Sequence, residues 1–232
     1  MTSSPTPPAL STVLDQVRTD ASANRFALWG RSTVIDEHTK VPSFSQPIFE
    51  ALHAAAGIQA RFPVGNAGLI HVYGYWFSDV LTPFGYKFDR WRDGALAHAL
   101  KLPSHAFWIE SPEHPSTTAL DRVLTAIHPV LEAPAAGVVT ADAQLTLASG
   151  TRHSRLVLCP PAKASALQPA ALIYGIASAA APPMSVPGTP SPTGVRPEFQ
   201  LITAFPFSGD PQILATDFTT DPRPRWNAVV DP

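Results

Sequence analysis

Residues 138–147 read VVTADAQLTL, residues 154–159 SRLVLC, residues 170–177 AALIYGIA and residues 199–205 FQLITAF. Each run is dominated by β-branched, aromatic and small apolar side chains and is flanked by Gly, Pro or Ser, the composition of buried strands. Gln212–Phe218 and Trp226–Val230 continue the series as expected strands. Upstream, the spacing changes. Leu10, Val13, Leu14 and Val17 follow the i, i+3, i+4, i+7 rule of an amphipathic helix. Pro47–Ala56 is a second expected helix, with Ser45 before it and Gly57 after it. Leu120, Val123, Leu124, Ile127 and Leu131 make the apolar face of a third, which opens near Ser116 and has Pro129 in its last turn. Helices first and strands afterwards imply an α+β fold. Its sheet is antiparallel or mixed, with a few helices packed on one side, rather than doubly wound and parallel.

Domain organisation follows from punctuation. Residues 1–8 form a Ser/Thr/Pro-rich tail. Residues 9–232 form a single α+β domain, interrupted by a proline-rich loop at 179–197. The 232 residues are 45% hydrophobic and only 15% charged, which supplies a sizeable core. A net charge of −2 and scattered Lys and Arg argue against phosphate-backbone binding, so no nucleic-acid partner is expected. One cysteine, Cys159, excludes an intramolecular disulfide. The opening MTSSPTPPAL lacks the basic and apolar regions of a secretory signal. No run approaches the roughly 20 apolar residues of a membrane span. The expectation is a soluble, cytoplasmic protein without a membrane partner. Its abundant Pro, Ala and Arg suit a high-GC bacterial genome. A small-molecule ligand and a homo-oligomer are the partners this composition admits.

The segment richest in chemistry is Gly68–Arg92, GLIHVYGYWFSDVLTPFGYKFDRWR. Leu69–Phe77 reads as the strongest strand. Thr82–Gly85 reads as a turn, and Tyr86–Trp91 as the returning strand. Alternation along a strand places His71, Tyr73, Tyr75 and Phe77 on one face. An imidazole beside phenols makes an acid/base wall, so His71, Tyr73, Tyr75 and Lys87 are the candidate catalytic residues. Asp89 and Arg90, with Arg92 nearby, are candidates for binding an ionic substrate; a guanidinium can grip a carboxylate through two parallel bonds. Asp93 is expected to cap a short helix bearing Leu96 and Leu100, and Ala106–Ile109 to form a short strand.

A second cluster, Arg152-His153-Ser154-Arg155, carries two cations flanking a histidine. Arg152, His153 and Arg155 are further candidates for substrate binding. Walker, dinucleotide-binding, nucleophile-elbow and zinc motifs are absent. The eight histidines show no metal-ligand spacing, although three could converge in space, so no metal-binding residue is assigned and the cofactor is unknown.

The stretch HVYGYWFSDVLTPFGYKFDRWRDGALAHAL, residues 71–100, resembles a group of short actinobacterial proteins labelled amino acid deaminase. That resemblance implies action on an amino acid or similar small molecule. A deaminase that used pyridoxal phosphate would need a Schiff-base lysine. Of Lys40, Lys87, Lys101 and Lys163, only Lys87 lies in the stretch, and no glycine-rich phosphate cup accompanies it. The functional expectation is an enzyme acting on a small polar molecule, as lyase, deaminase or hydrolase. The alternative is a non-catalytic binding or oligomerisation module.

Overall fold

A computed structural model describes residues 8–147, 150–160, 169–178 and 198–230. The proline-rich stretch 179–197 and most of the expected N-terminal tail lie outside the described residues. Helix α1 (Leu10–Ser22) buries Val13 and Val17, as its spacing requires. The run Phe26–Trp29, which reads as a strand piece by its composition, is instead entered by a 3₁₀ turn at Arg25–Leu28. Strand β1 (Arg31–Thr33) follows it. Helix α2 (Gln46–Ala56) has Pro47 in its first turn and ends on Gly57, whose φ of +66° is a left-handed conformation that glycine adopts without a Cβ penalty. Strand β2 (Val64–Asn66) pairs antiparallel with β1.

The expected strand at Leu69–Phe77 is overturned. Residues Leu69–Tyr73 form a π-helical turn, and Gly74–Phe77 continue as a 3₁₀ turn. Almost every side chain of this rod is buried, and a helix that is apolar all round belongs in a core. A continuously apolar run has no period to separate helix from strand. The deciding signal is Asn66, whose Oδ1 accepts hydrogen bonds from the backbone N–H groups of Gly68 (3.0 Å) and Leu69 (3.3 Å) and so serves the helix's first turn.

Beyond the rod, β3 (Leu81–Thr82) and β4 (Gly85–Tyr86) make a minimal hairpin, closed as expected at Thr82–Gly85. The returning strand stops there, because α3 (Asp89–Arg92) begins three residues later. Helix α4 (Ala95–Ala99) follows; its N-cap is Gly94 rather than the expected Asp93, which stands one residue earlier and whose Oδ1 accepts from the Ala95 N–H at 2.9 Å. Ala106–Ile109 form turns rather than a strand. Helix α5 (Ala119–Glu132) is capped by Thr118 and buries the five apolar residues that its spacing marks out.

The second half is a four-stranded antiparallel sheet in the order β5 (Val139–Leu147), β6 (Gly150–Cys159), β7 (Ala170–Ser178), β8 (Gln200–Phe207). The fold is therefore α+β. Alternate residues serve opposite faces. Val157, Ile173 and Leu201 join the core under the helical layer, while Leu156, Leu172, Tyr174 and Ile202 join a second cluster with Phe218. A Cβ at Gly175 would stand 2.5 Å from a Leu131 methyl, so glycine lets α5 lie close on the sheet. At this point a bulge shifts β8: Tyr174 pairs with Thr203, and Gly175 with Leu201.

Gln212–Phe218 is not a strand. It lies in helix α6 (Pro211–Thr220), which packs Phe218 into the second cluster on the far face of the sheet, in addition to the helices on the first face. Asp210 accepts from the Gln212 and Ile213 N–H groups and Pro211 takes the first helical position, a start signal that outweighs the apparent alternation. Trp226–Val230 is also no strand. It makes one isolated β-bridge among the described residues, Ser32 to Ala228, flanked by backbone bonds from the Thr33 N–H to the Asn227 carbonyl and from the Val229 N–H to the Arg31 carbonyl, and Trp226 and Asn227 both hold positive φ. Among the described residues, no helix is long and apolar enough to cross a membrane.

Candidate functional site

Helical geometry, not strand alternation, brings the candidate residues together. His71 and Tyr75 stand one turn apart on the rod, and their rings stack with centroids 4.9 Å apart and planes 17° from parallel. His71 is 2% exposed. Its Nε2 lies 2.9 Å from Ser32 Oγ, which lies 3.0 Å from the Asn227 carbonyl oxygen. That carbonyl can only accept, so the arrangement satisfying all three groups has Ser32 donating to Asn227 and accepting from Nε2–H. Nδ1 then carries the lone pair, and it has no hydrogen-bond partner among the described residues. Burial, with the nearby charges of Arg90 and Lys87, holds the imidazole pKa well below its ordinary value, so the ring is neutral at physiological pH. Ser32 is fully buried behind the ring and orients it, as an outer partner fixes the tautomer of a working histidine.

Two cations complete the group. Arg90 Nη1 donates to Thr203 Oγ1 at 3.0 Å, and the guanidinium lies 5.1 Å from the Tyr75 ring centroid and 5.4 Å from that of Phe205. No carboxylate pairs with it among the described residues, and burial lowers its pKa from the usual value. Lys87 differs. Its Nζ lies 2.6 Å from the buried carboxylate of Asp36 and 5.4 Å from the Tyr75 ring centroid. Burial pushes the Asp36 pKa up, but Lys87 and the backbone N–H groups of Thr39 and His38 outweigh it and leave the carboxyl at about 2. Asp89 binds Arg92 at 2.6 Å and accepts from the Tyr86 N–H, so it shapes the hairpin.

These residues border one cavity of about 570 Å³, within the range of small-molecule sites. His71, Tyr75, Lys87, Asp89 and Arg90 line one side. The sheet's second face supplies Leu172, Thr203, Phe205 and Phe207, and α6 and the C-terminal segment add Leu214, Trp226 and Asn227. Phe84 marks the mouth, where its ring is 82% exposed and packs edge-on against His38.

Four candidates lie elsewhere. Tyr73 points away from the cavity, and its hydroxyl donates to buried Asp20. Arg155 clasps Asp142 through two bonds and donates to the Leu131 and Glu132 carbonyls, closing the C-terminus of α5. Arg152 and His153 sit beside Ser178 and Ala177, at the opposite end of β7 from the cavity residue Leu172. Sequence reasoning passed over Ser32, Asp36, Thr203, Trp226 and Asn227. Their roles depend on contacts spanning up to 195 residues, which no local pattern encodes.

Comparison with family models, with curated proteins and with solved structures finds no match for this chain. Among the described residues, no group of three His, Cys, Asp or Glu side chains is placed to hold a metal ion. Lys87, the lysine within the deaminase-like stretch, has its nitrogen committed to Asp36, which does not suit the free amine that pyridoxal phosphate requires.

A pH dependence follows. His53 resembles His71 in being buried and neutral: Nδ1 donates to the Phe49 carbonyl, and Nε2 accepts from the Asn66 N–H. Burial lowers both histidine pKa values, so the unfolded chain takes up protons below pH 6.5 that the folded chain refuses. Stability is full above pH 6.5 and falls as pH drops toward the folded values, by about 1.4 kcal/mol per pH unit for each histidine. Urea unfolding at pH 7.5, 6.5 and 5.5 should show this loss, and His53→Gln and His71→Gln should each flatten it. A flat profile in the wild type would exclude it.

Proposed function

We propose that this chain is an enzyme acting on a small molecule that carries an anionic group. Arg90 anchors the anion and His71 Nδ1 accepts a proton. The observation that carries this reading is a guanidinium with no carboxylate partner among the described residues, facing a cavity beside a neutral imidazole whose second nitrogen is unused. A partly buried guanidinium without a counterion is costly, and a bound anion supplies that pair. Proton removal from the carbon beside a carboxylate opens elimination and deamination, and removal from water opens hydrolysis. Lys87, held by Asp36, adds positive potential without taking part. The deaminase-like stretch contributes His71, Tyr75, Lys87 and Arg90, in keeping with an amino acid or similar acid as substrate.

The test is a thermal-shift screen of small carboxylates and phosphates on the intact chain, since ligands of the folded state raise its melting temperature. Arg90→Met should weaken the acids that bind by about tenfold or more, the worth of a charge-assisted hydrogen bond. With a converted acid in hand, His71→Gln should retain binding and lower turnover about a hundredfold. Equal affinity in wild type and Arg90→Met would sink the proposal. A second reading, a binding or oligomerisation module, draws on Leu81 and Phe84, 61% and 82% exposed on the hairpin at the mouth. Light scattering that finds a stable dimer, together with no acid binding, would favour it.

A further inference from the structure

The cavity's two sides differ in chemistry. One side is polar: Arg90, the neutral His71, Lys87 paired with Asp36, and the carboxylates Asp89, Asp93 and Glu37, of which Asp89 is held by Arg92. The other is apolar: Leu172 from β7, Phe205 and Phe207 from β8, Leu214 from α6, and Trp226 from the C-terminal segment. Phe205 and Trp226 meet edge to face, with centroids 5.9 Å apart, and so present a fixed aromatic corner. Strand alternation explains why the two chemistries adjoin. Thr203, opposite Tyr174, and Phe205, opposite Leu172, are two residues apart in unbroken register and so share a face, and Thr203 is the hydroxyl that accepts from Arg90. The guanidinium consequently lies 5.4 Å from the Phe205 ring centroid, so charge and apolar wall are separated by about one ring width.

Volume adds a second constraint. A two-carbon acid occupies only a small part of 570 Å³ and leaves the aromatic corner in contact with water. Removing that apolar surface from water takes a ligand with an apolar body. Resting on the reading of Arg90 as anion anchor, we propose that the substrate is a carboxylic acid bearing an aryl or extended alkyl group. Its carboxylate meets Arg90, and its apolar body lies against Phe205, Phe207 and Trp226 across a spacer of a few carbons.

Three probes test this by calorimetry on the intact protein: 3-phenylpropanoate, glycolate and 3-phenylpropan-1-ol. The first carries both ring and charge, the second only the charge, and the third only the ring. The expected result is that 3-phenylpropanoate binds at least tenfold more tightly than either of the others. Phe207→Ala, at a half-exposed position at the end of β8, should weaken 3-phenylpropanoate several-fold and leave glycolate unchanged; Leu214→Ala provides a second variant on a different element. Glycolate binding that depends on Arg90 and matches 3-phenylpropanoate would overturn the apolar-body inference while leaving the anion anchor intact. Failure of both acids to bind, or binding that survives Arg90→Met, would overturn the anchor itself.

Discussion

Replacing Asp20 with alanine is expected to lower the unfolding free energy by about 3–5 kcal/mol, the usual cost of removing one member of a buried charged cluster. Asp20 is fully buried on α1, at the meeting point of three elements. It accepts from the Tyr73 hydroxyl on the π-helical turn and from the hydroxyl of Thr118, the residue that caps α5. It also pairs with Arg25 at 3.1 Å. Alanine would leave two buried hydroxyls without their acceptor and a half-buried guanidinium with only Asp121. Burial raises the Asp20 pKa, with Thr118, Tyr73 and Arg25 opposing, so the carboxylate's negative charge is not itself the source of stability. The acceptor oxygens are. Asp20→Asn keeps one of them and should cost about 1–2 kcal/mol, well below the alanine effect. Urea unfolding of the two variants decides the matter: a loss under about 1 kcal/mol in Asp20→Ala would show that the cluster is dispensable.

The same cluster shows where sequence reading succeeds and where it fails. Helices α1 and α5 were legible because their apolar residues repeat at the helical period, α2 because Pro47 and Gly57 punctuate it, and the sheet strands because β-branched, aromatic and small apolar residues fill runs bounded by Gly, Pro or Ser; the order of helices before strands followed. The rod at 69–77 was not, because LIHVYGYWF has no polar face to set a phase. Calling it a strand put His71, Tyr73 and Tyr75 on one side; helical rotation keeps His71 with Tyr75 and sends Tyr73 to Asp20. The candidate site was therefore partly readable from composition, since the polar and aromatic residues of 71–90 do converge on the cavity, though by i, i+4 stacking. At Arg152-His153-Ser154-Arg155 the composition misled. Antiparallel register commits Arg155 to Asp142, its cross-strand partner, and puts Arg152 at the wrong end of β7. The apolar half of the cavity was invisible because α6 looked like a strand and its Asp-Pro start was passed over.

Trp91→Ala should be comparably damaging, at about 3–5 kcal/mol, and should also disable the cavity. Trp91 is 1% exposed, meets Phe107 edge to face, and donates its indole N–H to the His71 carbonyl at 2.7 Å. It thus ties α3 directly to the turn that carries His71. Its neighbour in α3 is Arg90, so one side chain sets the spacing between the anion anchor and the imidazole. Removing the indole leaves a large void and frees a buried carbonyl, and α3 has only four residues with which to hold its place. Trp91→Phe keeps most of the packing and loses only the hydrogen bond, so about 1–2 kcal/mol is expected, with acid affinity falling less than in the alanine variant. The decisive comparison is acid affinity measured on folded Trp91→Phe and Trp91→Ala at low temperature. If both bind acids as the wild type does, the spacing of Arg90 and His71 is held by the rest of the sheet face, through Thr203 and Tyr75. If affinity falls in step with the loss of the indole, α3 is the element that brings the charge and the base to the same wall.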